Sequence, residues 1–337
     1  VILLILAQVG VFIYLINSTS KLSVWITYGL RLISLLVVLH IISVREKSGF
    51  KMTWIILVMI FPIFGGVTYL IFHLQASTLY FKREIRKLEF STRSELFLLE
   101  SKTAQDLAQN SLQDSSQNSK EDLSSSLYLE ALEKNPDFAS NIFYLQQTAG
   151  FPVFDSTKTT YLSPGENYYT ELLKQLKKAE KYIFIESFII DDGIMWNGIY
   201  EILKEKAEKG LDVRVIYDDV GSFLLHSHDF RKQMREFGIK CCVFNRFKPF
   251  FLVSLNHRDH RKIVAIDGKV AFTGGINIAD EYINARERFG YWKDAAVMLE
   301  GKAAWSLAVI FLQLWDFTMR ITENVCDFMP NFTLQTE

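Results

Sequence analysis

Three apolar runs crowd the first 72 residues of this 337-residue chain: Val1 to Ile16, Val24 to Val44 and Met52 to Phe72. Each approaches or reaches the ~20 residues that cross a ~30 Å hydrocarbon core. The expectation is therefore a membrane segment of two to three transmembrane helices over residues 1–75. A cleaved signal peptide explains the first run but not the two behind it. Buried helices of a globular domain would need polar faces that these stretches lack. Arg31 lies inside the second run, where a snorkelling side chain is the expected solution. The third run carries Phe61-Pro62-Ile63-Phe64-Gly65-Gly66, which can kink a helix or turn it back. Basic residues flank that run on both sides, Arg45, Lys47 and Lys51 before it and Lys82, Arg83, Arg86 and Lys87 after it. Either the run is a re-entrant hairpin or one cluster departs from the positive-inside preference.

Beyond the membrane segment the pattern changes twice. Residues 76–135 read as a juxtamembrane helix, from Thr78 to about Leu99, followed by a linker rich in Ser, Gln, Asn and Asp. Residues 136–337 read as an α/β domain. Leu172, Leu173, Leu176 and Ala179 form a helical stripe, and Tyr182 to Ile190 is a nearly continuous apolar strand. A helix through Ile199, Ile202, Leu203 and Ala207 stops at Gly210, and a strand follows at Val213 to Tyr217; together these make a βαβ unit. A second helix runs from the cap Asp229 to Gly238 and leads to a strand through Cys241, Val243 and Phe244. Arg261 to Ile266 and Val270 to Phe272, joined by Asp267-Gly268, carry a hairpin signature. Ala303 to Met319 is an aromatic-rich helix that closes the layer. The expected class is α/β, a mixed sheet flanked by helices.

Function classes narrow by subtraction. A formal net charge of -1 with 22% charged residues gives no field for a polyanion, so nucleic acid is not the expected partner. Cys241 and Cys242 are adjacent, which suits packing in a reducing compartment better than a disulfide. His226 and His228 form a pair that no nearby Cys, Asp or Glu completes into a recognisable ligand set, so no metal or other cofactor is expected. Glu186 and Asp218-Asp219 end apolar strands, where they read as capping and turn acids.

The chemistry concentrates in His260-Arg261-Lys262-Ile263-Val264-Ala265-Ile266-Asp267, of the form HxKxxxxD, followed by Gly274-Gly275-Ile276-Asn277. On a strand of period two, His260 and Lys262 share a face while Asp267 falls at the turn on the other parity. A phosphodiester centre needs a group that gains and loses a proton near neutrality, which suits His260. It also needs fixed positive charge on the non-bridging oxygens, which suits Lys262. Asn277 adds an amide donor, and Gly274 and Gly275 let backbone approach closely. Asp267 is better placed to hold the turn than to react.

These residues resemble the HKD motif of the phospholipase D superfamily. Asn256-His257-Arg258-Asp259-His260-Arg261-Lys262 and Thr273-Gly274-Gly275-Ile276-Asn277-Ile278-Ala279-Asp280-Glu281-Tyr282 resemble the first catalytic motif of bacterial cardiolipin synthases. Trp54, Pro62, Gly65, Gly66 and Tyr69 resemble that family's N-terminal membrane region, and Gly210 to Ser222 its early core. The resemblance implies that His260 is one of two active-site histidines. One attacks phosphorus to give a phosphohistidine, and the other protonates the leaving alcohol; which of these His260 is stays open. It implies that Lys262 and Asn277 bind phosphoryl oxygens and that Asp294, in Tyr291-Trp292-Lys293-Asp294, orients the imidazole, against the plainer reading of a surface acid. The implied reaction makes cardiolipin and glycerol from two phosphatidylglycerol molecules; a hydrolytic phospholipase D or a membrane-tethered lipid-binding half are the alternatives. Implied partners are phosphatidylglycerol and other anionic phospholipids, the membrane and a second HKD half. Family members carry two motifs and this chain shows one, so the second half is expected either beyond Glu337 or from a homodimer partner. The implied location is the cell membrane, multi-pass, with the catalytic domain cytoplasmic.

Overall fold

The computed structural model describes residues 10, 21–44, 48–61, 65–66, 68–69, 76–97, 119–222, 230–246, 258–288 and 290–332. The chain forms two compact units, Val1–Tyr80 and Phe81–Glu337. In the first, helix α1 (Lys21–Ser43) and helix α2 (Ser48–Ile60) bury a small cluster of Val37, Ile41, Val58 and Tyr69. Tyr69 sets its ring edge-on to Trp54 at 5.5 Å and to His40 at 6.0 Å. Lys51 Nζ donates to the Ile42 carbonyl at 2.8 Å, closing part of the end of α1.

Among the described residues, no helix is long and apolar enough to cross a membrane, which corrects the expectation of N-terminal transmembrane helices. Helix α1 carries Lys21, Arg31, Ser34 and His40 along its length. Helix α2 is 13 residues, about 20 Å at 1.5 Å per residue, and stops at Ile60 ahead of Pro62. The first apolar run, apart from Gly10, and the side chain of Arg31 lie outside the described residues.

Helix α3 (Ala76–Ser91) begins within the bounds of the first unit and ends within those of the second, in which helix α4 (Ser119–Lys134) occupies part of the stretch read as linker. The domain itself runs β1 (Thr157–Leu162), α5 (Gly165–Lys177), β2 (Tyr182–Ser187), α6 (Ile194–Glu208), β3 (Asp212–Asp218), α7 (Phe230–Glu236) and β4 (Lys240–Phe244). It continues through β5 (Ile263–Ile266), β6 (Val270–Gly274), β7 (Ala296–Gly301) and α8 (Ala304–Met319). The seven strands form one mixed sheet in the order β1-β7-β6-β5-β2-β3-β4. β2, β3 and β4 are parallel, as βαβ connections require, and β5 pairs antiparallel with β2 through Ile183↔Ile266 and Glu186↔Ile263.

Period two sorts the core into two layers. Ile183, Ile185, Val213, Val215, Val264 and Ile266 meet the helices on one face. Tyr182, Phe184, Ile216, Cys242 and Ala265 meet Trp305, Phe311 and Trp315 of α8 on the other. Phe184 stacks on Phe311 at 4.7 Å, and burying each such ring contributes ~1.5–3 kcal/mol. The three-residue turn Asp267-Gly268-Lys269 has left-handed φ of 53° and 66° at its first two positions, and the Lys269 N–H donates to the Ile266 carbonyl at 3.0 Å. Helix α6 ends at Gly210, φ 89°. Its Lys206 is buried and donates to the carbonyls of Lys177 at 2.6 Å and Ala179 at 2.7 Å, capping the end of α5.

Candidate active site

β5 begins at Ile263, so His260 and Lys262 stand just ahead of it rather than within it. One ring gathers both side chains: Phe188, which follows β2, lies 4.7 Å from the His260 imidazole centroid and 5.4 Å from Lys262 Nζ. The imidazole is exposed while the lysine is buried. Lys262 Nζ donates to the His260 carbonyl at 2.7 Å, tying the ammonium to the main chain of the residue it works beside. Burial pushes the Lys262 ammonium below the usual lysine range, and the carboxylates of Asp259 and Asp294 push back. Sequence reasoning missed Phe188, whose only signal is an aromatic at the end of an apolar strand.

Asn277 is almost fully buried, and its amide orientation is fixed from two sides. Oδ1 accepts from the Ile189 N–H at 3.0 Å, and Nδ2 donates to the Tyr282 hydroxyl oxygen at 2.6 Å. Gly274 and Gly275 lie where side chains would not fit. A Cβ on Gly274 would fall 2.5 Å from the Ala295 carbonyl oxygen, and one on Gly275 would fall 2.2 Å from Asp294 Oδ1. Asp294 thus lies against the Gly-Gly corner, accepts from Trp292 Nε1 at 3.4 Å and sends its field to Lys262. Among the described residues no hydrogen bond joins Asp294 to His260, so the implied imidazole-orienting contact is not made in this arrangement.

Asp267 stands apart, at the far end of β5. Its carboxylate accepts three backbone N–H groups at 2.8 Å, from Glu180, Lys181 and Tyr182. It ties the β5–β6 turn to the start of β2 and touches none of the other candidate residues.

Two acids beside the site divide. Asp218 is a turn acid, accepting from Val220 N–H at 2.9 Å, and it also receives Asp259 N–H at 3.0 Å and Arg258 Nη1 at 3.1 Å. It anchors the approach to His260. Glu186, read from the sequence as a capping acid, caps nothing: it is buried in the sheet, with Arg261 Nε 2.8 Å from Oε1 but out of line for a hydrogen bond. Burial holds its carboxyl well above the usual range; Arg261 opposes this and Asp259 adds to it. Among the described residues no group of three or more His, Cys, Asp or Glu is placed to hold a metal ion; His226, His228, Asp229 and His257 lie outside them.

An exposed imidazole, a half-desolvated ammonium and a locked amide can together bind and transfer a phosphoryl group. Comparison with known proteins agrees with that chemistry. Residues 172–315 match the family model described as cardiolipin synthase, PLD-like domain, and residues 32–72 match one described as phospholipase D-nuclease N-terminal. A cardiolipin synthase of Alkalihalophilus pseudofirmus is 32% identical over 268 residues, covering 79% of this chain and 48% of that protein. Cardiolipin synthase 1 of Bacillus cereus is 29% identical over 316 residues, covering 93% and 57%. An uncharacterized protein of Streptococcus mutans is 48% identical over 195 residues, covering 56% and 42%. The chain spans about half the length of the curated relatives it matches.

Proposed function

The chain belongs to the phospholipase D superfamily, with a domain of the cardiolipin synthase type, and on that premise we propose that it is part of a phosphatidyl transferase acting on phosphatidylglycerol. The observation that carries the reading is the shared Phe188 ring, which sets an exposed imidazole next to a buried ammonium. In the proposed reaction a histidine nitrogen attacks phosphorus, the phosphorus–oxygen bond to glycerol breaks, and a second histidine gives the departing oxygen its proton. The hydroxyl of a second phosphatidylglycerol then loses its proton to that second histidine and attacks phosphorus. The phosphorus–nitrogen bond breaks, and cardiolipin is released. Lys262 and Asn277 hold the non-bridging oxygens throughout, and Asp294 tunes Lys262.

His260 cannot attack and also protonate the leaving group on the opposite side of phosphorus. The second histidine therefore comes from a further HKD half or from another copy of the chain, and residues 1–337 as a lone monomer are inactive. Membrane association is part of the proposal. Trp25, Leu32, Leu36, Met59 and Ile60 expose more than half of their surface on α1 and α2, an apolar face that a lipid interface would cover. The catalytic domain is placed on the cytoplasmic side, with which the buried thiols of Cys241 and Cys242 agree. The test is product analysis. Membranes carrying the full-length parent are given phosphatidylglycerol, with and without chelator, and His260→Ala is run beside the wild type. Cardiolipin plus glycerol, lost in His260→Ala and kept with chelator, is expected. Phosphatidic acid as the main product would replace the transferase with a hydrolase.

A further inference from the structure

Beside the segment that carries His260 and Lys262 sits a group of three ionisable side chains, Glu186, Asp259 and Arg261, that the proposed chemistry does not use. His260 and Lys262 gather at the Phe188 ring, whereas Asp259 and Arg261 pair with each other and Arg261 reaches Glu186. Arg261 Nε lies 2.9 Å from Asp259 Oδ1 and 2.8 Å from Glu186 Oε1. Glu186 is fully enclosed on β2, one position short of the strand's end, while Arg261 keeps nearly half its side chain in solvent. The cluster therefore ties β2 to the segment leading into β5 and brackets the histidine from both neighbours in sequence.

Such a group is expensive in stability terms. A carboxyl enclosed at this depth, without an aligned hydrogen bond to either oxygen, costs more than a leucine of similar volume would. Burial pushes the Glu186 carboxyl towards its protonated form, with Arg261 opposing and Asp259 adding to the shift. Main-chain hydrogen bonds fix the same segment further, through Asp259 N–H to Asp218. We infer that Glu186, Asp259 and Arg261 are positioning residues, a clamp that holds the main chain on both sides of His260 so that its imidazole stays on the Phe188 ring.

This inference rests on the reading of His260 as a reacting group, and the experiment separates the two. In the full-length parent, kcat and KM for phosphatidylglycerol and the thermal midpoint are measured for Arg261→Lys, Glu186→Leu and Glu186→Gln. In parallel, the rate at which diethyl pyrocarbonate modifies His260 is followed by peptide mass spectrometry. A flexible lysine loses the Nε contact, and leucine removes the carboxyl while keeping the volume. Both should lower kcat by about tenfold or more with KM within about twofold, because a misplaced reacting group costs transition-state stabilisation without changing ground-state binding. Glu186→Leu should do so with an unchanged or higher thermal midpoint, which a merely structural role would not produce. Glu186→Gln, shaped like the protonated acid, should recover most of the loss. The modification rate of His260 should shift by roughly threefold or more in the first two variants. Activity within about twofold in both, or losses that track a falling midpoint, would overturn the inference. If Arg261→Lys does not fold, the Leu and Gln pair decides alone. If the wild type turns over no phosphatidylglycerol, the functional reading falls and the modification rates alone decide: an unchanged rate overturns the clamp, and a shifted one supports it.

Discussion

Replacing Asp267 by Asn separates architecture from chemistry at the HxKxxxxD signature. Asparagine tolerates the left-handed φ of 53° as well as aspartate does, so backbone strain is not introduced. What changes is the acceptor. Oδ1 takes the N–H groups of Lys181 and Tyr182, and Oδ2 that of Glu180. An amide that keeps the first pair presents its NH2 to the third donor and loses the charge on all of them. Hydrogen bonds to a charged group contribute roughly 1.5–3 kcal/mol each. Losing one and weakening two amounts to a destabilisation of about 2–4 kcal/mol. For a domain of this size that lowers the thermal midpoint by between about 5 and 15 °C. Asp267 and His260 are separated by roughly 20 Å of extended chain, so turnover per folded molecule should stay within about threefold well below the midpoint. The assay is tryptophan-detected melting of the full chain, with hydrogen exchange read at the amides of residues 180–182, which should lose protection first. Unchanged exchange and an unchanged midpoint together with a tenfold loss of turnover would refute the assignment and place Asp267 in the chemistry.

Two further outcomes follow from the same geometry. Burial pushes the Asp316 carboxyl up to about 6. Between its unfolded value near 4 and about 6 the folded state holds more protons than the unfolded one, so stability falls as pH rises through that window. The loss is about 1–3 kcal/mol, and the change in denaturant midpoint between pH 4 and pH 7 should differ by that amount between the wild type and Asp316→Asn. Gly275→Ala places a methyl 2.2 Å from Asp294 Oδ1, so the carboxylate must move off the site. Turnover should drop at least about tenfold with a modest change in midpoint; an alanine variant with normal kinetics would mean that the position of Asp294 does not matter.

Much of the domain was legible because its determinants are local. The apolar run at Tyr182 to Ile190, the Gly210 and Gly238 stops and the Asp267-Gly268 turn each state their element within a few residues, and the structure agrees. β1 and β7 escaped because they lie toward an edge and show no clean alternation. Thr157-Lys158-Thr159-Thr160-Tyr161-Leu162 becomes a strand by pairing with Ala296–Gly301, a contact no local window sees. The His260 and Lys262 pair was legible from residue type and spacing. Glu186 was not: a carboxylate ending an apolar strand reads as a cap, and its meaning depends on Arg261, far along the chain. The N-terminal helices failed for the opposite reason. Mean hydropathy runs on from Met52 to Phe72, but the second helix stops at Ile60, ahead of Pro62.

The pairing of β1 with β7 also sets a timetable. Thr157 finds Gly301 and Leu162 finds Ala296, so during synthesis the first strand waits while roughly 140 residues are added. At about 5–20 residues per second this is about 7–30 s during which it has no neighbour. A strand in that position is a target for stray pairing with other chains. β1 carries Lys158 and three threonines where a buried strand would carry valine and isoleucine, and Lys158 and Thr159 remain in water when the sheet is complete. The weak hydrophobic pattern that hid this strand from a sequence reading is the same property that keeps it soluble until its partner emerges.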